Sequence, residues 1–202
     1  MKNFISIDDL SDFEKSVSEA IDLKNNSLKF NSLGKNKSLA MLFFNPSLRT
    51  RLSTQKAAQN LGFNTMVMNF NDEGWKLEFQ NGVEMNGSSS EHVKEAASVI
   101  SQYCDIIAIR AFASLNDKEA DESELVINSF CKYSSVPIIN MESATAHPLQ
   151  ALADAITIKE HKKTNRPKVV LTWAPHPKPL PHAVANSFVK MIKKNQCRFC
   201  NI

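Results

Sequence analysis

Residues 39–51 read LAMLFFNPSLRTR, and this stretch decides the fold. The stretch opens with an apolar run, which is typical of a strand that is buried on both faces of a sheet. Pro46 has no backbone N–H to donate to a sheet ladder, so we expect the strand to end there. Ser47 is a favourable N-cap, and we expect a helix from Ser47 to a stop at Leu61-Gly62. This order predicts an α/β protein with a parallel sheet flanked by helices.

The same junction concentrates side chains that bind anions. Two arginines and two hydroxyls lie close together in the sequence: Ser47, Arg49, Thr50 and Arg51. The free N–H groups and the dipole at a helix N-terminus favour an anion, and these side chains strengthen that preference. We therefore predict a phosphate site here. The alternative is that Arg49 and Arg51 belong to an ordinary solvated helix face.

Composition restricts the classes of function. The chain has 202 residues, of which 43% are hydrophobic and 22% charged, and its formal net charge is +3. These values are ordinary for a globular protein. A nucleic-acid-binding module that uses Arg49, Arg51 and residues 159–168 is a poor alternative, because aromatic interleaving and strong positive charge are both missing. No GxGxxG or GxxxxGKS/T motif occurs, so dinucleotide and P-loop binding are unsupported.

Targeting and cysteine patterns indicate a reducing compartment. The N-terminus lacks the apolar core of a signal peptide, and no apolar run approaches the ~18 residues of a membrane span. We therefore expect a cytoplasmic protein with free thiols at Cys104, Cys131, Cys197 and Cys200. The Cys197-x-x-Cys200 pair could also be half of a zinc or redox site, although no second pair accompanies it. We expect no metal and no organic cofactor.

Hydrophobic periodicity divides the rest of the chain into alternating helices and strands. Ser11 and Ser90 are the expected caps of the first helix and of the helix before residue 105. Residues 71–90 lack periodicity and predict a long surface loop. The expected helices are residues 7–24, 90–103, 122–133, 148–161 and a last one around 184–192. The expected strands are residues 64–70, 105–109, 136–140 and 168–173.

Two later strands end beside polar side chains. Arg110 follows the strand of residues 105–109, and ligands bind at the carboxyl edge of open α/β sheets. His147 and Gln150 are neighbours across the first turn of a helix that begins near Pro148, again after a strand. Each has a plainer alternative, since a strand-end arginine often points into solvent and a lone histidine is usually structural. Arg110, His147 and Gln150 are all expected at the sheet edge that holds Arg49. The sharper hypothesis is therefore that these residues form one site.

Two motifs resemble the signatures of a known family. Ser47-Leu48-Arg49-Thr50-Arg51 is similar to the Ser-x-Arg-Thr-Arg motif of the carbamoyltransferases, the aspartate and ornithine transcarbamylase family. His147-Pro148-Leu149-Gln150 is similar to its second motif and follows in the right order. The resemblance implies carbamoyl phosphate as ligand and implies catalysis by Arg110, His147 and Thr50, which stabilise charge on the carbonyl oxygen. The binding residues implied for carbamoyl phosphate are Ser47, Leu48, Arg49, Thr50, Trp75, Arg110, His147 and Gln150.

Trp75 and the proline-rich segment of residues 173–181 resemble one branch of this family, which carbamoylates N-acylated ornithines. An aromatic residue in a polar loop is more often a packing anchor than a ligand contact. The resemblance instead implies a homotrimer in which the Trp75 loop closes over carbamoyl phosphate in a neighbouring subunit. It also implies that Glu142 and His176 contact the amino-acid substrate.

The resemblance also bears on the acceptor, through one position near the helix after the Trp75 loop. In the resembled family the succinyl branch carries Pro there and the acetyl branch carries Glu, whereas the corresponding residue of this chain is Ser90, which fits neither, and the overall sequence resembles the succinyl form more. An acidic side chain would repel the additional carboxylate of a succinyl group. We therefore expect N-succinyl-L-ornithine as acceptor, in arginine biosynthesis, with N-acetylornithine as the alternative.

The resemblance divides the chain into three parts. Residues 1–150 form the carbamoyl-phosphate-binding domain, residues 151–167 a linking helix and linker, and residues 168–202 an incomplete start of the amino-acid-binding domain. Family members continue for over a hundred further residues, so we expect a truncated chain that is poorly packed after Lys168. A catalytically inactive remnant that binds carbamoyl phosphate or phosphate is therefore a second functional hypothesis.

Overall fold

The computed structural model describes residues 2–70, 76–195 and 197–201. A short 3₁₀ helix, Ile7–Asp9, precedes the regular elements. The strands are β1 Ser38–Phe43, β2 Asn64–Asn69, β3 Lys76–Glu78, β4 Ser89–His92, β5 Ile106–Arg110, β6 Ile138–Glu142, β7 Lys168–Leu171 and β8 Arg198–Asn201. The helices are α1 Phe13–Asn25, α2 Leu48–Asn60, α3 Val93–Tyr103, α4 Lys118–Glu122, α5 Leu125–Tyr133, α6 Pro148–His161 and α7 Ala183–Lys194.

The central sheet has four parallel strands in the order β2-β1-β5-β6. Helices cover both of its faces, so the predicted fold class is confirmed. Phe43 at the end of β1 pairs with Arg110 at the end of β5. A register shift after Ile109 then pairs Arg110 with Glu142 of β6. The carboxyl ends of three strands therefore lie side by side, at the edge where α2 and α6 begin.

Strand β1 is apolar from Leu39 to Phe43 because the structure covers both of its faces. Residues 39–43 are all buried, with alternate side chains in different clusters. Ala40 and Leu42 pack with the cluster that includes Phe130 of α5. Leu39, Met41 and Phe43 pack with the cluster under α2. A strand with one solvated face would alternate polar with apolar residues, which explains why this run identified a central strand.

The expected helix after Pro46 is confirmed, including both of its ends. The Oγ atom of Ser47 accepts a hydrogen bond from the N–H of Thr50 at 3.2 Å and caps α2. Gly62 follows the last turn with a φ of +84°, the left-handed region that glycine enters without steric cost.

Several predicted boundaries were wrong because a nearby polar residue caps the helix in place of the expected one. Asp12, not Ser11, caps α1 through the N–H of Lys15. His92, not Ser90, caps α3, and Ser90 lies in β4. The expected helix of residues 122–133 begins instead at Leu125, because a turn at Ser123-Glu124 separates it from α4.

The predicted loop of residues 71–90 contains regular structure. Strands β3 and β4 form a small parallel sheet within and just beyond it. Three- and four-residue strands carry too few side chains for periodicity to reveal them. Trp75 lies outside the described residues.

The expectation of poor packing after Lys168 was wrong for α7. Met191 and Ile192 of α7 are 0% and 1% exposed, and they pack with Ile7 and Val17 near the N-terminus. The amphipathic pattern of α7 allows this, because one apolar stripe is enough to dock a helix. The connection before α7 does remain exposed, as the prediction required, and Trp173 is 53% exposed.

No helix in the described part of the chain is long and apolar enough to span a membrane.

A graded series of glycine substitutions tests the end of α2. In Gly62→Ala, the new Cβ would lie 2.2 Å from the carbonyl oxygen of Asn31, at a φ of +84°. We expect a loss of roughly 2–5 kcal/mol in unfolding free energy, measured by urea denaturation. Gly82→Ala shares the positive φ but meets no atom, so its loss should be about 1–2 kcal/mol. Gly87→Ala in open space should cost nothing. Equal losses for Gly62→Ala and Gly82→Ala would contradict the role assigned to the Asn31 carbonyl.

Candidate active site

The junction of β1 and α2 presents hydroxyls and cations without a neutralising acid. The Oγ atom of Ser47 donates a hydrogen bond to Oγ1 of Thr50 at 3.0 Å, so both hydroxyls lie at the helix N-terminus. Arg49 and Arg51 are exposed, and the first turn of α2 contains no acidic residue. No carboxylate of the described residues lies within salt-bridge distance of either arginine. The positive helix end and two guanidiniums are thus left uncompensated, which is the electrostatic condition of an anion site.

Arg110 connects this junction to the neighbouring strand ends. Its Nη1 donates hydrogen bonds to the carbonyl oxygens of Asn45 at 3.1 Å and Pro46 at 2.7 Å. Its Nη2 donates to Oε2 of Glu142 at 3.1 Å, and its guanidinium lies 3.9 Å from the ring centre of Phe112. The residue is only 7% exposed. Its Nε–H is buried and has no hydrogen-bond partner in the described residues.

His147 is the N-cap of α6 and lies beside this ion pair. Its Nδ1 accepts a hydrogen bond from the N–H of Gln150 at 3.4 Å, which places the ring proton of the neutral imidazole on Nε2. Nε2 is 3.7 Å from Oε2 of Glu142, which is too long for a direct hydrogen bond. The backbone N–H of His147 donates to Oγ of Ser187 in α7 at 2.8 Å.

Burial shifts the pKa of each of the two titratable neighbours of Arg110. Burial, together with the positive charge of Arg110, lowers the pKa of His147 to about 4. The ring is therefore neutral near pH 7 and offers Nε2–H as a donor. Burial raises the pKa of Glu142 above its usual value, although the charge of Arg110 opposes this effect.

The predicted residues do not all meet. The structure brings together Ser47 and Thr50 at one end and Arg110, Glu142 and His147 at the other. Gln150 is exposed, and its amide donates to Oδ1 of Asp154 at 2.9 Å. Leu48 is 76% exposed beside the arginines.

His176 lines a cavity whose lining includes none of Arg110, Glu142 and His147. The cavity has a volume of about 590 Å³ and separates the segment before α4 from the connection before α7. Nδ1 of His176 lies 3.1 Å from the backbone nitrogen and 2.8 Å from the carbonyl oxygen of Lys178. Trp173, Lys118 and His182 line the same cavity, so it combines an aromatic wall with cationic and titratable groups.

Sequence reasoning missed three side chains that hold the loop before His147. Glu124, Asn140 and Ser187 all hydrogen-bond residues of the segment 143–147. Glu124 and Ser187 are 19 residues or more away from their partners in the chain. No local pattern marks such contacts, because they exist only once α5, β6 and α7 have packed.

No group of three His, Cys, Asp or Glu side chains within the described ranges could hold a metal ion. Cys197 lies before β8, and Cys200 lies in it. The groups that the structure places at the strand ends are hydrogen-bond donors and charged side chains. Such a site can hold an anion at α2 and donate to a neighbouring carbonyl oxygen from Arg110, His147 or Thr50.

Comparison with known proteins gives concordant matches. Residues 2–160 match the family described as aspartate/ornithine carbamoyltransferase, carbamoyl-P binding domain. An N-succinylornithine carbamoyltransferase of Bacteroides thetaiotaomicron is 51% identical over 199 residues, which is 98% of this chain and 63% of that protein. An N-acetylornithine carbamoyltransferase of Xanthomonas campestris pv. campestris is 43% identical over 93% of this chain and 56% of its own length.

A solved structure agrees with these relatives. It is a glutamate-to-serine mutant of N-acetyl-L-ornithine transcarbamylase complexed with carbamyl phosphate and N-succinyl-L-norvaline. It superposes with a TM-score of 0.89 and 40% identity, over 96% of this chain and 59% of its own. The chain thus spans less than two thirds of the length of the relatives that it matches. Fold, motifs and matches agree, and the chain belongs to the aspartate/ornithine carbamoyltransferase family.

Proposed function

We propose that this chain transfers the carbamoyl group of carbamoyl phosphate to the δ-amine of N-succinyl-L-ornithine, in the cytoplasm, as a step of arginine biosynthesis. One observation carries the proposal. Arg110 hydrogen-bonds the residues that lead into the Ser-x-Arg-Thr-Arg motif and also Glu142, which lies beside His147 of the second motif. Two signatures that are far apart in the sequence are thus connected through Arg110 and Glu142.

The phosphate of carbamoyl phosphate binds at the start of α2. Ser47, Arg49 and Thr50, with the N–H of Leu48, present hydroxyls, a guanidinium and the free N–H groups of the first turn. The first turn of α2 contains no acidic residue, and this supports the proposal, because a bound anion can then neutralise the positive charge at the helix N-terminus. Arg51 adds a second cation on the same exposed helix end.

The carbonyl oxygen of the substrate binds between Arg110, His147 and Thr50. The free Nε–H of Arg110 and the neutral Nε2–H of His147 are both donors that the described residues leave without a strong partner. Donors held in a buried site stabilise charge on oxygen without reorganisation, and removal of one typically costs ~10²–10³-fold in rate. Gln150 orients the carbamoyl amide, which requires its side chain to leave Asp154.

The chemical step is an addition followed by an elimination. The neutral δ-amine attacks the carbonyl carbon, a C–N bond forms, and the electron pair of the C=O bond moves onto the carbonyl oxygen. That pair returns as the C–O bond to phosphate breaks, and the departing phosphate accepts the proton that the amine nitrogen loses. No side chain at the site needs to act as the base.

The acceptor is held by Glu142 and His176 across the sheet edge. Oε1 of Glu142 accepts no hydrogen bond from a described residue, so it can accept one from the acceptor amine. His176 lies on the cavity of about 590 Å³, which we propose receives part of the acceptor. On this basis residues 1–150 bind carbamoyl phosphate, residues 151–167 link, and residues 168–202 belong to the acceptor-binding domain.

Sequence identity to the relatives and the side chain at Ser90 both favour a succinylated over an acetylated acceptor. The succinylornithine relative is 51% identical and the acetylornithine relative 43%. We infer that Ser90, which is exposed in β4, corresponds to the acidic residue of the acetyl branch. The glutamate-to-serine mutant of the acetylornithine enzyme is complexed with a succinylated amino acid. Removal of one acidic side chain is therefore compatible with binding of the additional carboxylate.

We also propose that the protein assembles as a homotrimer in which the Trp75 loop reaches a neighbouring site. Leu48 and Leu52 form an apolar pair one turn apart on α2 and are 76% and 58% exposed. Apolar surface of this kind beside a cationic site fits a subunit contact. Light scattering measures the mass, and a monomer at all concentrations would exclude closure by Trp75.

The acceptor assay tests the proposed function directly. Labelled carbamoyl phosphate is supplied with ornithine, N-acetylornithine or N-succinylornithine, and the citrulline product is counted. We expect product with N-succinylornithine and a loss of at least ~10²-fold in Arg110→Met, because two carbonyls, Glu142 and the substrate lose a common donor. Product with N-acetylornithine alone would identify N-acetylornithine as the acceptor in place of N-succinylornithine. Binding of carbamoyl phosphate with no product from any acceptor would favour the inactive binding protein.

Substitution in the first turn of α2 tests the phosphate site. Arg49→Gln should weaken binding of inorganic phosphate by about tenfold or more in calorimetric titration, because a charge-assisted hydrogen bond is lost. Lys56→Gln is the matched control, since Lys56 is also an exposed cation of α2 but lies two turns further along. An equal loss in both variants would mean that phosphate responds only to net charge.

The pH dependence of stability tests the buried histidine. The pKa of His147 is about 4 in the folded protein and about 6.5 in the unfolded chain. The unfolded state therefore binds more protons between these values, and unfolding free energy should fall by at most about 3 kcal/mol as pH drops from 6.5 to 4. Well above pH 6.5 the imidazole is neutral in both states, so the unfolding free energy no longer changes through this group.

His147→Asn provides the comparison for that titration, because Glu142 acts in the opposite direction through its raised pKa. Urea unfolding of both proteins across the range isolates the histidine term. A pH profile of stability that is the same in His147→Asn and in the parent protein would show that the imidazole is not held neutral by burial.

A further inference from the structure

The turn of residues 143–146 delivers His147 to the site. It connects the end of β6 to the start of α6, and its own backbone closes through Ser143 N–H and the carbonyl oxygen of Ala146 at 2.8 Å. Residues between a strand end and a helix start have few backbone partners of their own. The position of the imidazole therefore depends on whatever holds this turn.

The carboxylate of Glu124 holds the turn through four hydrogen bonds. Oε1 accepts from the hydroxyl of Ser143 at 2.6 Å, from the N–H of Thr145 at 2.8 Å and from the hydroxyl of Thr145 at 2.6 Å. Oε2 accepts from the N–H of Ala144 at 3.3 Å. Two backbone donors and two hydroxyls of one short segment thus converge on a single side chain at the N-cap of α5.

The backbone of Glu124 is strained where it makes these contacts. Its φ is 51° and its ψ 41°, the left-handed region that a residue with a Cβ adopts only at a cost in free energy. Glu124 occupies the N-cap position of α5, yet its side chain makes no cap hydrogen bond to that helix. The carboxylate is therefore directed to the turn and not to its own helix. Strain of this kind persists where the surrounding structure requires it, and it is common near functional sites.

Other contacts on the turn do not replace this one. Nδ2 of Asn140 donates to Oγ of Ser143 at 2.9 Å and to the carbonyl oxygen of Ala146 at 3.3 Å, both at the ends of the turn. Nδ2 of Asn186 donates to the carbonyl oxygen of Thr145 at 3.3 Å. The N–H groups of residues 144 and 145, at the middle of the turn, are bonded by Glu124 alone of the described residues.

We infer that Glu124 is a positioning residue for His147, holding the 143–146 turn so that the imidazole faces the carbonyl of bound carbamoyl phosphate. The role in catalysis rests on the proposed function, whereas the effect on the imidazole does not. Glu124 does not touch the substrate. Its loss should therefore alter recognition of the carbonyl end of the ligand and leave recognition of the phosphate end at Ser47 and Arg49 intact.

The experiment measures the affinities for two ligands and the pKa of His147. Phosphonoacetamide carries both a phosphonate and an amide carbonyl, and inorganic phosphate carries only the anion. In Glu124→Ala we expect the affinity for phosphonoacetamide to fall roughly 10- to 100-fold, while the affinity for phosphate stays as in the parent protein. In the same variant, NMR titration of the imidazole of His147 should show its pKa rising from about 4 towards 6.5.

Matched variants separate positioning from folding. Glu124→Gln keeps the size and one acceptor oxygen and should give an intermediate loss, and Thr145→Val removes one hydroxyl partner from the other side. Glu119→Gln is the control, because Glu119 is an exposed acid of the adjoining α4. It should leave both affinities and the titration of His147 unchanged.

Each remaining outcome decides the inference. Equal losses of affinity for phosphonoacetamide and phosphate in Glu124→Ala would show a general structural role. Unchanged affinities together with an unchanged titration of His147 would show that Glu124 has no role at the site. Either result would overturn the inference that Glu124 positions His147. If the parent protein binds neither ligand, the proposed function fails. The titration of His147 in Glu124→Ala then still decides whether the carboxylate sets the position of the imidazole.

Discussion

The site depends on the buried guanidinium of Arg110. It bonds the carbonyl oxygens of Asn45 and Pro46, which are the last acceptors before the Ser47 cap, and it pairs with Glu142 on the next strand. Removal of a charge from water is unfavourable unless the charge is paired and hydrogen-bonded. The two Nη groups find their partners in the segment after β1 and in β6, so this one side chain joins three strand ends.

A register shift makes that pairing possible. Regular pairing of β5 with β6 would bring Met141 opposite Arg110, whereas the shift after Ile109 brings Glu142 opposite it. Irregularities of this kind re-aim side chains near functional sites. The carboxylate then lies close enough to His147 to share its environment, and burial keeps that imidazole neutral. Electrostatic preorganisation in this site is thus a property of strand register as much as of residue type.

Short stretches of sequence were enough to predict much of the fold and part of the site. The apolar run of β1, the Ser47 cap and the Gly62 stop are each determined by near neighbours in the chain, so they could be predicted. The start of α3 could not, because Ser90 and His92 are both acceptable caps and packing of β4 selects the second. Docking of α7 was missed because its partners, which include Ile7, Val17 and Ala151, lie in other elements of the chain and no local pattern marks them.

The sequence by itself determined the parallel α/β class, the two signature motifs and the order in which they follow strands. It also placed Arg110 at a strand end, since periodicity and turn residues act over a few residues. Only the tertiary structure decided which donors meet: that Arg110 is occupied by Asn45, Pro46 and Glu142, and that Glu124 holds the turn before His147. These contacts join segments 19 to 65 residues apart. Their energy appears only after the chain has folded, so no local pattern records them.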